Sequence, residues 1–149
     1  MNDRNPTMAT AQLPDWNALQ PGDALPPLEL PPIRRLDLAL YCGASGDHNP
    51  IHVDVDFARS AGMPDVFAHG MLSAAWLARL LTNWVPQSAI RSLDLRFAAL
   101  THVGERIRCT GTVAEKFEHE GRRSVRLKLA TANHEGAARL SAEALVAWP

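Results

Sequence analysis

The stretch from His69 to Trp84 constrains this chain most. Met71, Leu72, Ala74, Ala75, Trp76, Leu77, Ala78, Leu80 and Leu81 leave almost no polar face on a helix. A helix that is apolar all round is a buried one. The run contains Arg79 and is too short to cross a bilayer. Something must therefore wrap it, and 149 residues suffice for one domain with a sizeable core.

The wrapper is legible downstream. Ile90 to Leu100 alternates through Leu93, Leu95 and Phe97, and Glu105 to His119 carries Ile107, Cys109, Val113 and Phe117. Val125, Leu127, Leu129 and Thr131 alternate strictly, as do Leu140, Ala142, Ala144 and Val146. Period-two runs are strands with one apolar face and one wet face. Gly104, Glu120-Gly121 and Glu135-Gly136 mark the turns. The simplest assembly is α+β: an antiparallel sheet curled around the apolar helix.

The first half is less regular. Residues 1–32 hold Pro26, Pro27, Pro31 and Pro32 and read as a Pro-rich N-terminal arm, with room for one short strand, ahead of a domain at 33–149. Arg34 to Ala44 allows a helix with Leu36, Leu40 and Tyr41 on one face, ended by Gly43 and Gly46. Residues 45–53 must be irregular because Pro50 cannot continue a helix. Asp54 to Ala61 reads as a short helix, with Asp54 as N-cap and Gly62 as the stop.

Composition narrows the function classes. Hydrophobic residues make up 46%, charged residues 21%, and the net charge is -1. That balance offers neither a nucleic-acid coat nor a polybasic membrane patch. The first residues lack the pattern of a secretory signal. Cys42 and Cys109 form no C-x-x-C and are expected reduced and buried. A cytoplasmic setting is the expectation.

Two motifs carry a family resemblance. Y-C-G-A-S-G-D-H-N-P-I-H-V-D at 41–54, followed by A-H-G-M-L at 68–72, resembles the MaoC-like (R)-specific enoyl-CoA hydratases and hydroxyacyl-thioester dehydratases. The resemblance implies the hot-dog fold, in agreement with the architecture reached from periodicity. It implies Asp47 and His52 as a catalytic pair, Asn49 as a loop-shaping and site-orienting residue, and the Gly70 main-chain N–H as donor to a thioester carbonyl. The family often places a serine later on the central helix, where this chain has Ala78.

The chemistry suits these groups. Adding water to a 2-enoyl thioester takes a proton from water, gives one to the α-carbon and builds enolate-like charge on the carbonyl oxygen. A carboxylate and an imidazole cover both transfers, each contributing about 10²–10⁴-fold. Which group takes which proton stays open, including a single shared water. The start of the long helix has N–H groups without helical partners and a dipole that favours negative charge. Glycine at 70 lets the thioester come close to the backbone.

Plainer readings stand beside these. Asp47 alone could be a turn residue. His48 and His52 mimic a helical ligand pair, but Pro50 breaks that helix, so no metal is expected. His48 is read as a rim residue, Asp54 as a cap, and His69 as structural at the helix start. Met71 and Leu72 are core candidates that could also line an acyl tunnel and so bind substrate. Trp76 and Trp84 suit the core or a dimer contact. Arg91 and Arg96 could meet phosphates of coenzyme A, though exposed strand arginines usually meet only water. His102, His119 and His134 receive no role.

The function expected is reversible hydration of a trans-2-enoyl-CoA to an (R)-3-hydroxyacyl-CoA. Alternatives are dehydration of a 3-hydroxyacyl thioester in fatty-acid synthesis, or in steroid side-chain degradation, including as one subunit of a hetero-oligomer. No cofactor is expected beyond the thioester carrier, coenzyme A or acyl-carrier protein. A hot-dog thioesterase is disfavoured, because Gly70 to Asn83 contains neither Asp nor Glu. An inactive partner subunit would waste Asp47, His52 and Gly70. A homodimer or dimer of dimers is expected, since an unpaired sheet edge invites pairing.

Overall fold

Alternating strands and one apolar helix assemble as their patterns require. The computed structural model describes residues 11–149, except for the side chain of His119. The elements are β1 (Leu28–Glu29), α1 (Arg35–Ser45), α2 (Val55–Ser60), α3 (Gly70–Trp84), β2 (Ile90–Phe97), β3 (Ile107–His119), β4 (Arg122–Asn133) and β5 (Ala138–Ala147). The strands form one antiparallel sheet in the order β1-β3-β4-β5-β2. The long helix against this sheet is the α+β hot-dog arrangement.

The core lies between α3 and the sheet. Leu77, Leu80 and Leu81 of α3 meet Val113, Val125, Leu127, Leu140 and Val146, all 1% exposed or less. Burying a side chain of this size stabilises by about 1.5–3 kcal/mol. Gly104, Gly121 and Gly136 make the turns with positive φ, as the sequence predicts.

The arm's first ten residues lie outside the described part. The rest packs along β3: Gly22 N–H donates to Val113 O (2.7 Å) and Leu25 N–H to Gly111 O (2.8 Å). Gly111 leaves room for this packing, since a Cβ there would sit 2.7 Å from Leu129 Cδ2 and 3.0 Å from Leu25 Cδ2 and would force those side chains to shift. Leu25 and Ile33 anchor the arm in the core.

Four expectations need correcting. Leu36 and Leu40 face solvent at 56% and 63% exposure, and Leu38, fully buried, anchors α1 instead. The strands cover only one side of α3, so it is not buried all round: Met71, Ala75 and Arg79, spaced four apart, are exposed. Phe97 continues the alternation of β2 in sequence yet is 54% exposed, because the chain leaves the sheet after it. Of the two cysteines, Cys109 is buried with its thiol pushed up to about 12 by burial, whereas Cys42 is only half-buried; neither is in a disulfide.

Candidate active site

The S-G-D-H-N-P-I-H segment folds through its own short-range bonds. Gly46 ends α1 in the left-handed region (φ 74°), its N–H reaching Cys42 O at 3.2 Å. Ser45 Oγ accepts the Asp47 N–H at 3.2 Å, and Asp47 Oδ1 accepts the Asn49 N–H at 3.3 Å. Asn49 Oδ1 accepts the Ile51 N–H at 3.1 Å and caps a 3-10 turn, Pro50–His52. Pro50 has no N–H to lose at the head of that turn. Asn49 is thus a loop-shaping residue by geometry. Asp54 then caps α2, its Oδ1 accepting from Asp56 and Phe57 N–H groups.

The turn sends His52 inward, to 8% exposure, while Asp47 remains exposed. His52 Nδ1 lies 2.7 Å from Phe67 O. A carbonyl oxygen only accepts, so Nδ1 carries the hydrogen and Nε2 keeps its lone pair. His69, 1% exposed at the start of α3, places Nε2 3.2 Å from Asp47 O, which leaves its Nδ1 bare and unpartnered. The two rings stack, with centroids 3.8 Å apart and planes 28° from parallel; Tyr41 meets His69 edge-on at 5.0 Å. Burial, then the nearby His52, pushes the His69 imidazole below its ordinary value, only partly opposed by Asp47.

Donor atoms of Asp47, His52 and His69 all lie within 4.8 Å of one another.

Gly70 is the first residue of α3, where a backbone N–H has no helical acceptor. A Cβ at this position would lie 3.1 Å from Phe97 Cε1. Beside it opens a cavity of about 360 Å³ lined by Phe67, Gly70, Ser73, Phe97, Thr101 and Arg139, among others. Met71 is 58% exposed and Leu72 is half-buried against the core; neither lines this cavity. A larger groove, about 580 Å³, runs over Asp94, Arg96, Lys128 and Glu143 of the sheet, away from the histidines.

Sequence reasoning missed three features. Ser73, buried on α3, bonds Thr101 Oγ1 at 3.3 Å in the cavity wall, 28 residues away. It is the polar group this end of the helix offers, while Ala78 is half-buried further along. The Phe67 carbonyl, which fixes the His52 tautomer, is backbone and leaves no trace in residue type. Lastly, Arg139 pairs with Glu105, both 12% exposed. Burial opposes ionising Glu105, but hydrogen bonds from Arg139, Asn133 and the His102 N–H overcome it and hold its carboxyl at about 2.

A long helix against an antiparallel sheet, with an Asp-His-His cluster at the helix start, defines a hot-dog protein with a candidate site there. The chain belongs to the family described as MaoC like domain, matched over residues 20–134. It is similar to the (R)-specific enoyl-CoA hydratase of Rhodospirillum rubrum, 34% identical over 83 residues, which are 54% of this chain and 58% of that protein. It is also similar to the mitochondrial 3-hydroxyacyl-(acyl-carrier-protein) dehydratase of Arabidopsis thaliana, 32% identical over 71 residues, 48% of this chain and 43% of that protein. The chain thus spans about half the length of these curated relatives. Among solved structures, unliganded R-hydratase PhaJ1 from Pseudomonas aeruginosa matches with a TM-score of 0.80 at 26% identity, covering 95% of this chain and 89% of that one.

Proposed function

We propose that the protein is a hydro-lyase that reversibly adds water to a trans-2-enoyl-CoA, giving an (R)-3-hydroxyacyl-CoA. The observation that carries this reading is the cluster in which an Asp47 carboxylate oxygen and ring nitrogens of His52 and His69 lie within 4.8 Å of one another, beside a helix start at Gly70. The configuration and the carrier are taken from the hydratase relatives.

In the hydration direction, a water held between Asp47 and His52 gives a proton to one of them as its oxygen bonds the β-carbon. The π electrons move toward the carbonyl, whose oxygen takes negative charge opposite the Gly70 N–H. The α-carbon then takes a proton and the carbonyl re-forms. Losing one such donor typically costs about 10²–10³-fold. No cofactor enters the scheme beyond the thioester carrier. Dehydration of a 3-hydroxyacyl-carrier-protein runs the same steps in reverse, and the Arabidopsis relative supports it as the second reading.

Assembly as a homodimer, or a dimer of dimers, belongs to the same reading. Among the described residues β2 pairs only with β5, and Phe97, its last residue, is exposed. Such an edge is a template for a second strand. Light scattering at micromolar protein should give a dimer or larger; a monomer would contradict it. Two free thiols suit a reducing, cytoplasmic setting.

The test is a panel of short, medium, branched and steroid enoyl thioesters, offered on CoA and on carrier protein. Loss of the enoyl absorbance with a 3-hydroxyacyl product supports the reading. Release of free CoA without hydration would replace it with a thioesterase.

A further inference from the structure

The buried His69 is not used by the scheme above, yet it touches both halves of the site. Its Nε2–H donates to Asp47 O at 3.2 Å, and its ring lies 3.8 Å from that of His52. The next residue is Gly70, which opens α3. We infer that His69 is a positioning residue: its ring ties the Asp47 main chain to the start of the helix and sets the plane of the His52 imidazole.

The geometry explains why a histidine stands there. The carbonyl of Asp47 needs a donor that reaches it from α3 across the site. A phenyl ring would stack on His52 but could not donate. A glutamine could donate from about the place of Nε2 but would not stack. The neutral imidazole does both, and it adds no charge beside His52. The unpartnered Nδ1 follows from this assignment, because the ring has one hydrogen and Asp47 O takes it. A buried polar atom left without a partner is normally selected against, so the contact it permits must matter. Tyr41 also meets the His69 ring edge-on, with centroids 5.0 Å apart.

The inference rests on the hydratase reading, so its test has one arm that needs no activity. In protein labelled with ¹⁵N-histidine, the signals lost in His69→Phe identify His69. Those signals should report a neutral ring with hydrogen on Nε2; hydrogen on Nδ1 would overturn the proposal even if the wild-type protein were inactive. In the kinetic arm, His69→Phe should lower kcat by about tenfold to a hundredfold with KM little changed, as expected for a displaced acid-base group. His69→Gln should recover much of that loss. In an Asp47→Asn background the same His69→Phe change should cost less than in the wild type, since the share exerted through Asp47 is already gone and the share exerted through His52 remains. A Phe variant with wild-type kcat, a Gln variant no better than Phe, or a full-sized loss in the Asp47→Asn background would each overturn it. Circular dichroism on every variant separates these outcomes from misfolding.

Discussion

The molecule holds two carboxylates near its site and treats them in opposite ways. Glu105 is half-buried and takes hydrogen bonds from Arg139, Asn133 and the His102 N–H. Asp47 is exposed, and its carboxylate receives one long bond, from the Asn49 N–H at 3.3 Å. A fully paired carboxylate is a fixed charge, with no lone pair left for a substrate. A carboxylate held by its backbone and free at its oxygens can exchange a proton. Glu105 fixes the 98–105 segment, whose Thr101 O accepts the Ala68 N–H and whose His102 bridges Phe67. That in turn places the Phe67 carbonyl against His52. One carboxylate builds the site and the other works in it.

Substitutions should separate these roles. The largest effects are expected at the working end: Asp47→Asn and His52→Ala should each lower kcat about 10²–10⁴-fold, with Asp47→Asn keeping its unfolding midpoint. Near-wild-type rates in both would end the comparison. At the building end, Arg139→Met removes the ion-pair partner of the half-buried Glu105 and leaves it the bonds from Asn133 and the His102 N–H, a change expected to cost about 1–3 kcal/mol in stability. Urea unfolding should show that loss, and adding Glu105→Gln should relieve part of it.

The pH dependence of stability sharpens the contrast. Glu105 sits at about 2 when folded, against an ordinary value of 4.5. Its folded value is depressed, so its contribution is present above about 4.5 and is lost as pH falls toward about 2. It is on the order of 3 kcal/mol. Unfolding measured between pH 5 and pH 2 should reveal this loss, and Arg139→Met should flatten it. His69, also depressed, works in a higher window: its contribution is present above about 6.5 and declines as pH falls below that value. The smallest effect is expected at Gly70→Ala. The new Cβ would press on Phe97 at 3.1 Å, and Phe97 is exposed enough to yield. Turnover of bulky acyl thioesters should fall a few-fold, with short ones little affected, and Phe97→Ala should restore it.

How much of this was legible in the sequence follows from how local each signal is. Val125, Leu127, Leu129 and Thr131 alternate in sequence and all point into the core, 2% exposed or less. Asp54, Gly46 and Gly62 act within a few residues of themselves and could be placed directly. Three leucines at 36, 38 and 40 could not tell which would face inward, because that depends on where α1 docks. Met71 and Ala75 read as core because composition cannot show that the strands cover one side of α3. The contacts Ser73–Thr101 and Glu105–Arg139 join residues 28 and 34 apart, where no local pattern links them. Asp47, His52 and His69 lie together in space whereas Met71 and Leu72 do not line the cavity, and the carbonyl that fixes the His52 tautomer belongs to the backbone of Phe67.

The most direct test of the central claim is the product formed by the wild-type chain from a trans-2-enoyl-CoA. The expected result is an (R)-3-hydroxyacyl-CoA, formed at a rate that collapses when Asp47 becomes Asn or His52 becomes Ala. An (S) product, release of free CoA with the double bond intact, or equal rates in the variants would contradict it.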